Sequence, residues 1–189
     1  VDRRKLIIEA AAKSFSQFGY KATTMDQIAK LANVGKGTIY TFFKNKEELF
    51  DEIISSLIKE MKVAAEKVMD DHLSFYENAN RALYTLLEFR KEHQLTIKLV
   101  QEEREMGTRE VFDVLRRLEQ MIVSYIKEII QKAIDKGEIK PCNPELTAFI
   151  MLKLYISLIF DWEQHHQPLT REEIFETFEL YILKGLSKS

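Results

Sequence analysis

Lys36-Gly37-Thr38 opens a short helical pattern, directly behind the tight-turn tetrapeptide Ala32-Asn33-Val34-Gly35. Lysine can donate to guanine O6 and N7, threonine can hydrogen-bond a base or touch a thymine methyl, and glycine permits close backbone approach. Tyr40 offers a hydroxyl for a phosphate, and Lys46 sits where the next helix N-terminus would also attract one. Together these types fit recognition of duplex DNA, with one short helix bracing the phosphate backbone and the next entering the major groove. Enzymatic chemistry fits poorly. There is no Gly-x-Ser-x-Gly elbow, and His72, His93, His165 and His166 lack metal-ligand spacing. Gly35-Lys36-Gly37-Thr38 has the look of a phosphate loop, yet position 37 should be Ser or Thr and no strand precedes it. The expectation is a protein with no catalytic residues, no metal and no cofactor.

The charge distribution supports a polyanionic partner. Residues 1–46 carry nine Lys/Arg against three Asp/Glu, a net of +6, which leaves −8 for the rest of a chain whose total is −2. A small basic region attached to an acidic body suggests two tasks. With 46% hydrophobic and 31% charged residues, the 189-residue chain has an ordinary globular balance. Six Gly and three Pro leave few turns for an all-β fold, and the single Cys142 excludes a disulfide framework and fits a reducing compartment. The longest apolar stretch, 146–160, is broken by Lys153, so no membrane span is expected. No apolar leader follows the basic start, so no secretion signal is read and a cytoplasmic place is expected.

Positioning those residues falls to helices. Ile7, Ala11, Phe15 and Phe18 recur on one helical face over 3–18, and Gly19 follows where a left-handed end is cheapest. Thr24 and Gln27 form a capping box before a helix over about 25–31, with Ile28 and Leu31 facing inward. The Asn33/Gly35 turn leads to a helix over about 36–42 with Ile39 inward, and Asn45 with Glu48 caps a long helix over about 46–70. Longer helices are expected at about 74–91, 94–105, 109–136, 144–164 and 171–187. Thr108, Asn143-Pro144 and the Thr170/Glu173 box provide starts, and Gly137 provides a stop. The fold expected is all-α, with about nine helices.

The stretch from Phe15 through Phe18-Gly19-Tyr20, Thr23-Thr24, Ile28-Ala29, Val34, Gly37-Thr38-Ile39-Tyr40 and Phe43 to Lys46 and Leu49 resembles the N-terminal domain of TetR-family bacterial transcription regulators. The resemblance covers about residues 6–50. It implies a three-helix helix-turn-helix DNA-binding domain over 1–46, and a helical effector-binding and dimerisation domain over 47–189. It also implies a homodimeric repressor that binds a palindromic operator and is released by a small ligand. DNA contacts then fall on Thr24, Lys36, Gly37, Thr38, Tyr40, Thr41 and Phe42, with Lys46 as a phosphate contact. Asn33 stands where the family often has glycine, Gly35 where it has serine, and Phe42 where it has histidine or tyrosine, so Phe42 should contribute apolar contact.

Two further sets follow from the helical patterns. Met61, Phe75, Tyr84, Phe89, Met106, Phe112, Tyr125, Phe149 and Tyr155 are adaptable or flat side chains that suit an apolar or amphipathic ligand, although such stripes also build ordinary cores. The run Glu102-Glu103-Arg104-Glu105 reads as a solvated face or a source of charge for a cationic ligand. The helix over 144–164 is apolar nearly all round, and the last helix has a broad apolar face. Phe149, Ile150, Leu154, Leu158, Trp162, Phe175, Phe178, Tyr181 and Ile182 are therefore expected where two copies meet. An activator, a regulator controlled by a protein partner, and a helical interaction or lipid-binding bundle remain as alternatives.

Overall fold

A computed structural model describes residues 2–88 and 94–188. Its helices are α1 (Arg3–Phe18), α2 (Met25–Leu31), α3 (Lys36–Phe42), α4 (Lys46–Val68), α5 (Phe75–Glu88), α6 (Gln94–Met106), α7 (Arg109–Asp135), α8 (Pro144–Ile156) and α9 (Arg171–Phe178). After α8 the helix widens to a π turn over Ser157–Asp161 and closes with Trp162–Gln164, and α9 continues likewise through Glu179–Leu183 to Lys184–Leu186. No strand forms among the described residues; a lone antiparallel bridge joins Ile139 and Ser187. The fold is all-α.

Local chemistry sets the boundaries. Gln27 N–H donates to Thr24 Oγ1 at 3.3 Å and Thr24 N–H to Gln27 Oε1 at 2.9 Å, which closes the first capping box. At α4, Glu48 N–H donates to Asn45 Oδ1, while the Glu48 carboxylate takes Lys44 N–H rather than that of Asn45. Asn143 accepts from Leu146 N–H at the start of α8, with Pro144 at the first helical position. Thr108 precedes α7 as expected, but its hydroxyl, although buried, makes no hydrogen bond. Asn33, at φ 54°, makes the turn between α2 and α3; Gly35 has ordinary extended angles.

At the start of α9, Glu173 N–H donates to Thr170 Oγ1 and Thr170 N–H to Glu173 Oε2 at 2.7 Å. The carboxylate thus accepts from Thr170 N–H and also from the Thr170 hydroxyl at 3.0 Å, and these two bonds favour its charged form and hold Glu173 below its ordinary value of 4.5. A depressed folded value means the stabilisation is complete above the unfolded one and fades as pH falls through the folded one. Glu173→Gln should therefore lower stability slightly at neutral pH and converge on wild type as pH falls below about 4.5, which flattens the acid side of the stability–pH curve, as read by urea melts.

The chain divides into two compact units, Val1–Val63 with Arg90–Arg117, and Ala64–Phe89 with Leu118–Ser189. The core of the first is built from Ile7, Phe15, Tyr20, Ile28, Ile39, Leu49 and Phe50. Its three aromatic rings meet one another, Phe15–Phe50 edge-on at 5.3 Å and Tyr20–Phe50 at 4.6 Å. Phe18 and Leu31, expected inward, are exposed. The face of α1 is completed instead by Ser14, whose hydroxyl meets that of Thr23 at 3.0 Å. The second unit packs around Phe75, Ile130, Ala133, Ile139, Ala148 and Leu183, and around Leu83, Leu87, Tyr155, Ile174 and Phe178.

Candidate nucleic-acid interface

Helix α3 is anchored by two side chains and open on the rest. Ile39 and Phe43 are buried, whereas Lys36, Gly37, Tyr40, Thr41 and Phe42 are exposed and Thr38 is half-buried. Seven residues give only two turns, so one buried stripe is enough to hold the helix and leaves its N-terminal residues facing water. Thr24, the N-cap of α2, is exposed as well. Lys36 Nζ lies 2.8 Å from Asp26 Oδ2 of α2, which raises the lysine pKa through the hydrogen bond and the carboxylate charge. Both partners are solvated, so a phosphate or base edge can compete for the ammonium. The Thr41 hydroxyl donates back to Thr38 O at 2.7 Å.

Lys46 opens α4 as expected, and its side chain is engaged within the chain. Its ammonium donates to Tyr20 O at 2.8 Å and Thr23 O at 3.0 Å, and stands 4.1 Å from the centre of the Tyr20 ring. Burial lowers its pKa, opposed by the charges of Glu47, Glu102 and Glu110. The side chain is thus bound to the chain's own turn between α1 and α2. The same turn is held from α6 by Glu102, which accepts from Tyr20 N–H at 2.6 Å and Lys21 N–H at 3.0 Å.

Residues 7–53 match the family model for bacterial regulatory proteins of the tetR family, and residues 73–186 match the model for a tetracyclin repressor-like C-terminal domain. An HTH-type transcriptional regulator of Bacillus subtilis (strain 168), YhgD, is 65% identical over 187 residues, covering 99% of this chain and 98% of the relative. The chain belongs to the tetR family of bacterial regulatory proteins. As a tetR-family member it is a DNA-binding transcription regulator and not an enzyme. Among solved structures it is similar to a SmeT–triclosan complex, with TM-score 0.81 and 15% identity over 100% of this chain and 93% of that one. It is also similar to AibR in complex with isovaleryl coenzyme A and operator DNA, with TM-score 0.70 and 22% identity over 94% of this chain and 96% of that one.

The remaining candidates of this tetR-family chain are scattered. Met106 lines an open cavity of about 340 Å³ with Tyr20, Lys21, Lys46, Glu47 and the Gly107–Glu110 segment. Phe112, Tyr84 and Phe149 are exposed, Met61 and Tyr125 are half-buried, and Phe75 and Tyr155 sit in the core of the second unit. Phe89 lies outside the described residues, as does His93. Of the residues expected between copies, Phe149, Ile150, Trp162 and Tyr181 are exposed, and Leu154, Leu158, Phe175 and Ile182 are half-buried. Phe178 is a correction: at 4% exposure it packs inside its own chain with Tyr155 and Ile174, so it has no surface to offer a second copy. His165 and His166 fall past the helix end, and the His166 ring stacks on Trp162 at 4.0 Å.

Glu102 is the second correction, since it neither faces solvent nor serves a ligand as a free charge. The sequence held a signal for it: Leu95, Leu99 and Glu102 follow the i, i+4, i+7 register, so the acid falls on the buried stripe of α6. Among the described residues, no group of three or more His, Cys, Asp or Glu could hold a metal. No described helix is long and apolar enough to cross a membrane.

Proposed function

We propose that this protein is a homodimeric transcriptional repressor that binds an inverted-repeat operator and leaves it when a small apolar or amphipathic ligand binds. The observation that carries this reading is the open N-terminal face of α3, where Lys36, Gly37, Tyr40, Thr41 and Phe42 are exposed above buried Ile39. Thr24 and Tyr40 then serve phosphates, Lys36 and Thr38 read base edges, Thr41 assists them, and Phe42 meets a sugar or thymine methyl. Residues 1–46 form the DNA-binding domain and 47–189 the ligand-binding and dimerisation domain, working in the cytoplasm where operators are. Binding of a small ligand is supported by structural neighbours: AibR is described with both isovaleryl coenzyme A and operator DNA, and SmeT with triclosan.

Dimerisation is supported by the apolar surface of α8 and the last helix, including Leu146, Phe149, Ile150, Trp162, Leu180 and Tyr181, the last of them 71% exposed. Apolar side chains gathered on two helices favour burial against a second copy. Two-fold symmetry places two recognition helices on one duplex and makes the operator an inverted repeat.

The test is fluorescence anisotropy with duplexes from the region upstream of the gene, at stated salt, with and without lipophilic compounds. Specific binding that such compounds reverse supports the reading; no affinity for duplex DNA at low salt overturns it in favour of a helical interaction bundle. Binding that no compound reverses favours control by a protein partner. Lys36→Ala should lower specific affinity on the order of tenfold and relax preference at one base position, read by competition among operator variants. Unchanged affinity and preference would remove Lys36 from the contact set.

A further inference from the structure

One peptide unit in the turn between α1 and α2 is gripped at both ends. Glu102 of α6, only 4% exposed, accepts Tyr20 N–H at Oε2 and Lys21 N–H at Oε1. Lys46 of α4 takes Tyr20 O and Thr23 O. Gly19 makes the first contact possible, because a Cβ there would overlap Glu102 Oε2, and its φ of +85° also disfavours a side chain. The Thr23 hydroxyl donates to Gly19 O at 2.8 Å and closes the turn from within. Thr24, the N-cap of α2, comes next, and α2 is tied onward toward α3 by Val34 N–H on Ala29 O.

Packing alone does not ask for an acid at this position. The register of α6 would accept an apolar side chain beside Leu95 and Leu99, and a buried carboxylate is costly unless hydrogen-bonded. What the carboxylate adds is direction: two parallel acceptors fix the two amides to α6, and so fix the start of α2. Charged acceptors make stronger and shorter bonds than neutral ones.

We propose that Glu102 is a positioning residue for operator binding, which couples the place of α6 to the recognition helix through the Tyr20 and Lys21 amides. This rests on the DNA-binding reading above. A shift of α6 then reaches α2 and α3 through two main-chain hydrogen bonds, without any DNA contact by Glu102 itself.

The test compares wild type, Glu102→Ala, Glu102→Gln, Gly19→Ala and the Gly19→Ala/Glu102→Ala double variant. Affinities are taken well below every melting temperature and corrected for active fraction. Glu102→Ala should lose operator affinity on the order of tenfold. Glu102→Gln, which keeps one acceptor, should lose less. The dependence of affinity on salt should keep its wild-type slope, since no phosphate contact is removed. Amide exchange should quicken at Tyr20 and Lys21 while Leu49 and Phe50 stay protected. Losses from Gly19→Ala and Glu102→Ala should be less than additive, because both break the same contact. Folded Glu102→Ala and Glu102→Gln proteins that bind operator as tightly as wild type overturn this inference alone. So do additive losses in the double variant. Wild-type protein that binds no operator overturns the DNA-binding reading and takes this inference with it, whatever the exchange data show.

Discussion

Replacing Phe50 with alanine is expected to destabilise the first unit by about 3–5 kcal/mol, the range for truncating a buried aromatic. Phe50 is buried, and its ring meets Phe15 edge-on and Tyr20 at 4.6 Å. Removing it strips both neighbours of a partner and leaves a gap lined by flat, rigid side chains that close over a void poorly. Tyr20 belongs to the turn that starts α2, so the loss should also reduce operator binding. Urea denaturation followed by circular dichroism measures the first effect. A loss under about 1 kcal/mol would mean that the three-ring cluster is not a main support of this unit.

Lys46→Ala should weaken operator binding on the order of tenfold while leaving the salt slope close to wild type. Two roles for this lysine predict different salt behaviour. A phosphate contact would lower the slope of log affinity against log salt by about one when removed. An ammonium bound to Tyr20 O and Thr23 O instead holds the turn, and its removal leaves two carbonyls to be satisfied by water. Lys46→Met, which keeps the stem over the Tyr20 ring but not the charge, should behave nearly as badly as alanine if the two carbonyl bonds dominate. A clear fall in slope would return Lys46 to the phosphate backbone and reopen its place in the contact set.

Much of the fold was legible because its punctuation is local. Thr24/Gln27 and Thr170/Glu173 act over three residues, Asn143-Pro144 over two, and Asn33 within itself, so each can be read without knowing the rest of the chain. The motif around Gly37-Thr38-Ile39-Tyr40 was legible for a related reason, since the exposed and buried sides of a seven-residue helix follow from periodicity. What the sequence did not show came from partners distant in sequence. Lys46 is 26 residues from Tyr20, and Glu102 is 82. A charge that bonds to main chain so far away leaves no mark except its register on the buried stripe. Phe18 and Leu31 lay in line with apolar faces but stand at helix ends, where they remain in solvent. Phe178 shared the apolar pattern of its exposed neighbours, and periodicity alone could not tell a face turned to its own core from one turned to a second copy.

The grip of Glu102 on the turn involves only backbone N–H groups, and a main-chain donor is the same whatever side chain it carries. The identity of residue 21 is therefore invisible to the clasp, while residue 19 is not, because any atom beyond hydrogen there would push the carboxylate away. In a library of variants this turn should show a sharp boundary, with position 21 accepting nearly every amino acid and position 19 almost none. Divergent descendants of this protein could thus redesign the surface of the bend freely and still inherit the joint beneath it.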